Sequence, residues 1–144
     1  MNRRAFLGAC GTGASVALAG CLAGGRSPSG DEVVEMTIDS YRPKELTVPP
    51  ETTVEFVNTS NHGHTVTAVN IPDEADDSEY FASGGFDSEE EAWEGWEANN
   101  GGIFTQGESF TNEFITPGKY DYICVPHIRV DMVGVVYVDE DAAE

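Results

Sequence analysis

The chain has little positive charge: seven Lys and Arg stand against 26 Asp and Glu among 144 residues, a formal net charge of −19. Such a polyanion repels phosphate backbones, so nucleic acid is excluded as a partner. The carboxylates form no single block. They run from Asp31 and Glu32 through Asp73, Glu74, Asp76 and Asp77 to Asp139, Glu140 and Asp141. This spread reads as a solvated coat suited to strong brine, the alternative being a docking face for a basic protein. In molar salt the Debye length falls to ~3 Å, so docking there depends on short-range contacts. The length leaves room for one domain with short appendages and none for a second catalytic domain.

Long hydrophobic runs are missing as well. The most apolar stretch, from Phe6 to Leu22, is weakly hydrophobic, rich in Ala and Gly, and too short to span a bilayer comfortably. It follows Arg3 and Arg4, and no acidic residue precedes Asp31. This pattern reads as a cleaved export signal. Arg-Arg-x-Phe-Leu resembles a twin-arginine signal, a route for proteins already folded. Leu18-Ala19-Gly20-Cys21 resembles a lipobox, cut before a Cys that is then lipidated; the alternative is an ordinary signal cut nearby. A Gly/Ser/Pro linker from Ala23 to Gly30 then acts as a flexible stalk, and two acyl chains suffice for stable anchoring. The expected organisation is a signal with lipobox at 1–21, a linker at 22–31, a folded domain at 32–139 and an acidic tail at 140–144. Cleavage before Cys21 removes Arg3 and Arg4 and leaves five basic residues against 26 acidic, a net −21.

Cysteine and histidine are scarce too, at three each. Cys10 lies inside the signal and Cys21 at the lipobox, so the mature domain keeps Cys124 alone and can form no internal disulfide. Exposed to an oxidising exterior, a single thiol needs a partner thiol, a buried apolar pocket or a metal. Its neighbours favour the metal. In Tyr120-Asp121-Tyr122-Ile123-Cys124-Val125-Pro126-His127-Ile128-Arg129-Val130-Asp131-Met132, the donors fall at Cys-x2-His-x4-Met. Alternation before Cys124 puts Tyr120, Tyr122 and Cys124 on one face of a strand. Another strand follows from Val133, so three soft or borderline donors share one loop between two strands.

A thiolate, an imidazole and a thioether select copper over zinc. A trigonal His2Cys plane with a long axial Met needs one more His, and the mature chain offers only His62 and His64. Read with period two, His64, Val66 and Ala68 share a face while Thr65 and Thr67 point away, so His64 enters the interior from a strand end. His62, before Gly63, is expected at the surface and is the fallback ligand.

These residues resemble the cupredoxin family, most closely its halocyanin and plastocyanin branch. The resemblance spans Tyr41 to Val48, Thr53 to Asn58, Gly63-His64-Thr65-Val66, and Tyr122-x-Cys124-x-Pro126-His127 with Met132 and Gly134. It implies an all-β fold, a Greek-key β-sandwich or barrel, with one copper ion cycling between Cu(I) and Cu(II) on His64, Cys124, His127 and Met132. It further implies a one-electron carrier, monomeric, passing electrons through the exposed edge of His127 and an apolar patch drawn from Val125, Ile128 and Val130. Arg129 is a rim contact. With the lipobox at Cys21, the expected setting is the outer face of the cell membrane, and the expected partners are membrane-bound cytochrome or oxidase complexes.

The chain's own pattern agrees with strands at Val33–Asp39, Leu46–Val48, Thr53–Asn58, His64–Asn70, Ser109–Ile115, Lys119–Cys124 and Gly134–Val138. Thr65 departs from the branch, which usually has Asn there to brace the ligand loop. An insert at 71–102 is a second departure, with a short helix that Ser88 and Glu91 cap and with Trp93 and Trp96 packing it onto the barrel. Asn58-Thr59-Ser60 fits a glycosylation sequon, yet its place on the way to a ligand argues against occupancy.

Enzymes built on copper clusters need further histidines, which three in the whole chain do not supply. A copper carrier or buffer is the rival from another class, because Cys, His and Met also suit Cu(I). A metal-free adhesion module leaves the four-donor coincidence unexplained.

Overall fold

The computed structural model describes residues 30–142. The signal, the lipobox at Cys21 and almost all of the linker lie outside the described residues. Among the described residues, no helix is long and apolar enough to cross a membrane.

Eight strands form two four-stranded sheets: β1 (Glu32–Met36), β2 (Tyr41–Arg42), β3 (Glu45–Val48), β4 (Thr52–Asn58), β5 (Thr67–Asn70), β6 (Ser109–Phe114), β7 (Gly118–Ile123) and β8 (Val133–Val138). One sheet runs β2-β1-β4-β6 and the other β3-β8-β7-β5. β1 pairs with β4 and β3 with β8 in parallel, while the remaining pairs are antiparallel. This crossing of parallel and antiparallel pairs is the Greek-key sandwich expected from the sequence.

Alternation supplies the core. Val34 and Met36 from β1, Val54 and Phe56 from β4, Tyr120 and Tyr122 from β7, and Val136 and Val138 from β8 all face inward and are buried. Tyr122 stands at the centre, edge-on to Tyr41 at 4.7 Å and to Phe56 at 5.2 Å between ring centroids. Directly across the ladder from Tyr122 lies Gly134, where a Cβ would come 2.5 Å from the tyrosine Cζ. Any side chain at 134 would displace the ring. At the other end Tyr120 donates to the Thr116 carbonyl at 2.5 Å, tying the start of β7 to the turn before it.

Three expectations are corrected. β1 stops at Met36, because Thr37 and Ser40 close a turn through Thr37 N to Ser40 O at 2.9 Å and a hydroxyl pair at 2.7 Å. β2, only two residues long, carried no readable period. The strand expected from His64 begins at Thr67, and His64 forms an isolated bridge with Phe104. Thr65 and Thr67 do not reach solvent either; both are buried. The reason is non-local: the segment 81–83 lies against this stretch, through Ala68 N to Phe81 O at 3.1 Å and Ser83 N to Val66 O at 2.7 Å.

The insert contains a 3₁₀ turn, Asp77–Glu79, and one helix, α1 (Glu89–Asn99). Ser88 caps α1 as expected by accepting from Glu91 N at 3.1 Å, but the Glu91 carboxylate accepts from Asp87 N, one residue before the cap. Trp93 and Trp96 are partly exposed, and the buried residue of α1 is Ala92. Phe86 packs closely over Gly95 and Gly101, where no Cβ would fit beneath its ring.

Candidate metal centre

The segment from Cys124 to Met132 folds into a loop stitched by its own backbone. Cys124 N donates to Met132 O at 3.0 Å, His127 N to Cys124 O at 3.1 Å, and Met132 N to His127 O at 3.3 Å. Between them Val125–Val130 forms 3₁₀ turns that end at Asp131, whose φ of 62° reverses the chain. Each donor therefore terminates one of the loop's own bonds, which accounts for the Cys-x2-His-x4-Met spacing. His64 arrives from the segment before β5, the neighbour of β7, held by reciprocal bonds with Phe104: His64 N to Phe104 O at 3.1 Å and Phe104 N to His64 O at 2.9 Å.

Three donor atoms converge. Cys124 Sγ lies 3.5 Å from His64 Nδ1 and 3.4 Å from His127 Nδ1, and the ligand atoms of the three residues all lie within 4.8 Å of one another. Two donors bound at about 2.0–2.3 Å to a shared ion and about 110–120° apart stand about 3.5–3.8 Å from one another. The two sulfur–nitrogen separations fall at the short edge of that range, and with all three ligand atoms within 4.8 Å of one another the cluster suits one small ion. Cys124, His64 and Met132 are fully buried, whereas His127 is half-buried. His62, the fallback, is exposed; its ring lies against His127 at 6.0 Å and takes no place in the cluster.

Electrostatics also suit a cation. Burial pushes the Cys124 thiol up to about 11, against the opposing pull of N–H groups from Thr65 and His127. Burial, then the neighbouring His127 ring, pushes His64 down to about 4, and burial lowers His127 as well. The pocket thus resists a lone thiolate and a lone imidazolium alike, while a soft cation among neutral imidazoles satisfies a thiolate.

Thr65 carries the brace that the sequence left open. Its amide points at Cys124 Sγ at 3.4 Å, its hydroxyl accepts from Val125 N at 2.9 Å, and its carbonyl accepts from Tyr41 OH at 2.8 Å. The donor loop and the His64 segment are therefore joined by one residue. The short Thr side chain reaches because the two backbones lie close together.

The surface around His127 differs from the expected patch. Val125 is buried at 5% and drops out, while Val130 is 57% exposed. Two exposed side chains were missed. Ile103, packed on Gly63, adjoins the His62–His64 loop. Ile38 sits on the turn beside Asp39, whose charge acts on both His64 and His127. Neither had a local signal, since both come from remote turns. Asn58, buried, is no glycan acceptor in this fold.

Residues 32–139 match the family described as copper binding proteins, plastocyanin/azurin family. Among solved structures, the purple cupredoxin from Nitrosopumilus maritimus is 20% identical with a TM-score of 0.53, covering 76% of this chain and 100% of its own. Oxidised plastocyanin from Dryopteris crassirhizoma is 23% identical with a TM-score of 0.51, over 74% of this chain and 99% of its own. The copper-containing nitrite reductase from Thermus scotoductus is 25% identical with a TM-score of 0.56 over 81% of this chain, which spans only 23% of that enzyme. With a buried thiol and two imidazoles meeting at the end of a Greek-key sandwich, and with that match over most of its length, the chain belongs to the plastocyanin/azurin family of copper-binding proteins.

Proposed function

We propose that the chain is a mononuclear blue copper protein that carries single electrons, in which His64 Nδ1, Cys124 Sγ and His127 Nδ1, together with the Met132 thioether, would hold the copper. The observation that carries this reading is the convergence of two imidazole nitrogens on one buried thiol, at 3.5 and 3.4 Å, with His64 and Met132 buried beside it. When bound, copper supplies a one-electron couple.

The residues do the rest. The loop's own backbone bonds and the Thr65 brace hold the donors in place, so a change of charge demands little rearrangement. Burial of Cys124, His64 and Met132 excludes water and leaves no open position for a substrate. His127, half-buried, is the way out for the electron, ringed by Val130, Ile38 and Ile103 as a contact surface, with Arg129 at its rim. We place the protein in the halocyanin-like branch, at the outer face of the cell membrane on a lipidated Cys21, monomeric, exchanging electrons with membrane-bound cytochrome or oxidase complexes. Supporting this setting are the paired arginines, the Leu18–Cys21 lipobox and the linker that follows.

Adding Cu(II) to the purified domain should give intense blue absorption with narrow copper hyperfine splitting. Cys124→Ser should abolish the colour; retention of it would sink the ligand assignment. A colourless, slowly exchanging Cu(I) complex would mark a copper carrier instead. For the anchor, mass spectrometry of the native protein should find two acyl chains on Cys21.

A further inference from the structure

The tripeptide Asn58-Thr59-Ser60, which reads as a sequon, leads directly into the donor cluster. Asn58, Ser60 and His64 are 0%, 8% and 0% exposed. The Asn58 Nδ2 amide faces two carbonyls, His62 O at 2.6 Å and Phe104 O at 3.0 Å. Carbonyls only accept, so the amide nitrogen must lie on that side and Oδ1 on the other. Oδ1 in turn receives Ser60 N at 2.9 Å and stands 2.8 Å from Ser60 Oγ.

That oxygen–oxygen contact needs a hydrogen, and Asn58 Oδ1 has none to give. The Ser60 hydroxyl therefore supplies it, and the other oxygen within reach, His62 O at 3.3 Å, competes only for that same hydrogen. Ser60 Oγ is left with two lone pairs. One accepts from His62 N at 3.1 Å, and the other faces His64 Nε2 at 3.0 Å. A hydrogen on Nε2 itself fills that last contact, and the Thr37 backbone carbonyl, which also accepts from the His64 ring, calls for a ring hydrogen as well. Were Ser60 to donate to Nε2 instead, both oxygen–oxygen contacts would be left bare and buried, which costs more than it gains.

From this closed set of bonds we infer that Asn58 and Ser60 are positioning residues that fix the tautomer of His64. They hold the hydrogen on Nε2 and leave the Nδ1 lone pair aimed at Cys124. Every donor and acceptor of Asn58 and Ser60 is used, so the set has one arrangement and no slack. The buried imidazole is thereby ready for an ion before any ion arrives, and the proton that must leave is that of the Cys124 thiol alone. His127, half-buried at the solvent side, has no such partner on its outer nitrogen among the described hydrogen bonds. The inference rests on the copper reading for its use, although its geometry does not.

Long-range proton–nitrogen NMR of the 15N-labelled, metal-free protein tests it directly. His64 should show a protonated Nε2 with a slowly exchanging hydrogen and an unprotonated Nδ1. Ser60→Ala should mix the two tautomers, speed exchange of that hydrogen and weaken copper binding, measured against a competing chelator, by about tenfold or more. Ser60→Thr, which keeps the hydroxyl, should restore both. A wild-type His64 protonated at Nδ1 would overturn the inference even if the alanine variant failed to fold. So would a folded Ser60→Ala protein with unchanged tautomer and affinity. The expected tautomer in a protein that takes up no copper would count instead against the copper reading, leaving the relay standing.

Discussion

The hydroxyl of Thr65 accepts a hydrogen bond from the Val125 amide at 2.9 Å while its own amide faces Cys124 Sγ at 3.4 Å. One residue thus holds both sides of the cluster at once, across about half the chain. Thr65→Val keeps the shape but strands the buried Val125 N–H, and should lower stability by about 1–3 kcal/mol. It should also hasten loss of copper. Thr65→Ser should recover most of both. Urea denaturation and a chelator-driven off-rate read the two effects, and an unchanged off-rate in the valine variant would remove Thr65 from the site.

Pro126 follows Val125 in the same loop and has no N–H to offer. The thiolate consequently lacks a donor at that point. Pro126→Ala adds one and should raise the reduction potential, because a hydrogen bond to sulfur favours the more electron-rich reduced state. Voltammetry of the copper-loaded variant showing no rise, or a fall, would count against this account.

Gly134 is expected to tolerate no side chain. A Cβ there meets Tyr122 Cζ and Oη at 2.5 Å, and Tyr122 is the ring on which Tyr41 and Phe56 both pack. Gly134→Ala should destabilise the fold by about 1–3 kcal/mol or more. Because Cys124 directly follows the strand that carries Tyr122, the variant should also broaden the copper spectrum. A thermal midpoint equal to that of wild type would show that the ring can move aside.

Glu79 gives a pH dependence at the opposite end of the barrel. Burial by itself would raise its carboxyl, but hydrogen bonds from the Thr116 hydroxyl and amide, the Asp76 amide and the Tyr120 hydroxyl outweigh it and hold the group below its ordinary range. A carboxylate depressed by folding contributes stability above its unfolded value, about 4.3, and loses it as pH falls through the lower folded value. Glu79→Gln should therefore cost about 1 kcal/mol or less at pH ~7, given its partial exposure, and progressively less as the medium turns acidic. Urea midpoints across that window check this; a gap independent of pH would mean that the charge contributes nothing.

Much of the molecule was readable from one dimension. The Cys124–Met132 loop is closed by bonds among its own residues, so its spacing already encodes its shape. Strands β4, β6, β7 and β8 alternate or run apolar because each packs on one core, and the cap of α1 is local. The reading failed where distant segments meet. The stretch 64–70 looked like a half-exposed strand, yet residues 81–83 pair along Val66–Ala68 and Thr65 meets Tyr41 and Val125, and no local period reports that. Likewise the burial of Ala92 and the packing of Phe86 over Gly95 and Gly101 had no local signal.

The amino-acid sequence by itself determined the donor types, the order in which the loop presents them, the choice of His64 over His62 and most of the strands, since each follows from short-range spacing and alternation; the sandwich was implied by the family resemblance. Tertiary structure alone decided that Thr65 supplies the brace and that Ser60 and Asn58 face the imidazole. Those choices depend on contacts between residues up to 60 positions apart. Only the folded backbone brings such groups within hydrogen-bond range, where burial removes water as the alternative partner and leaves a single arrangement satisfied.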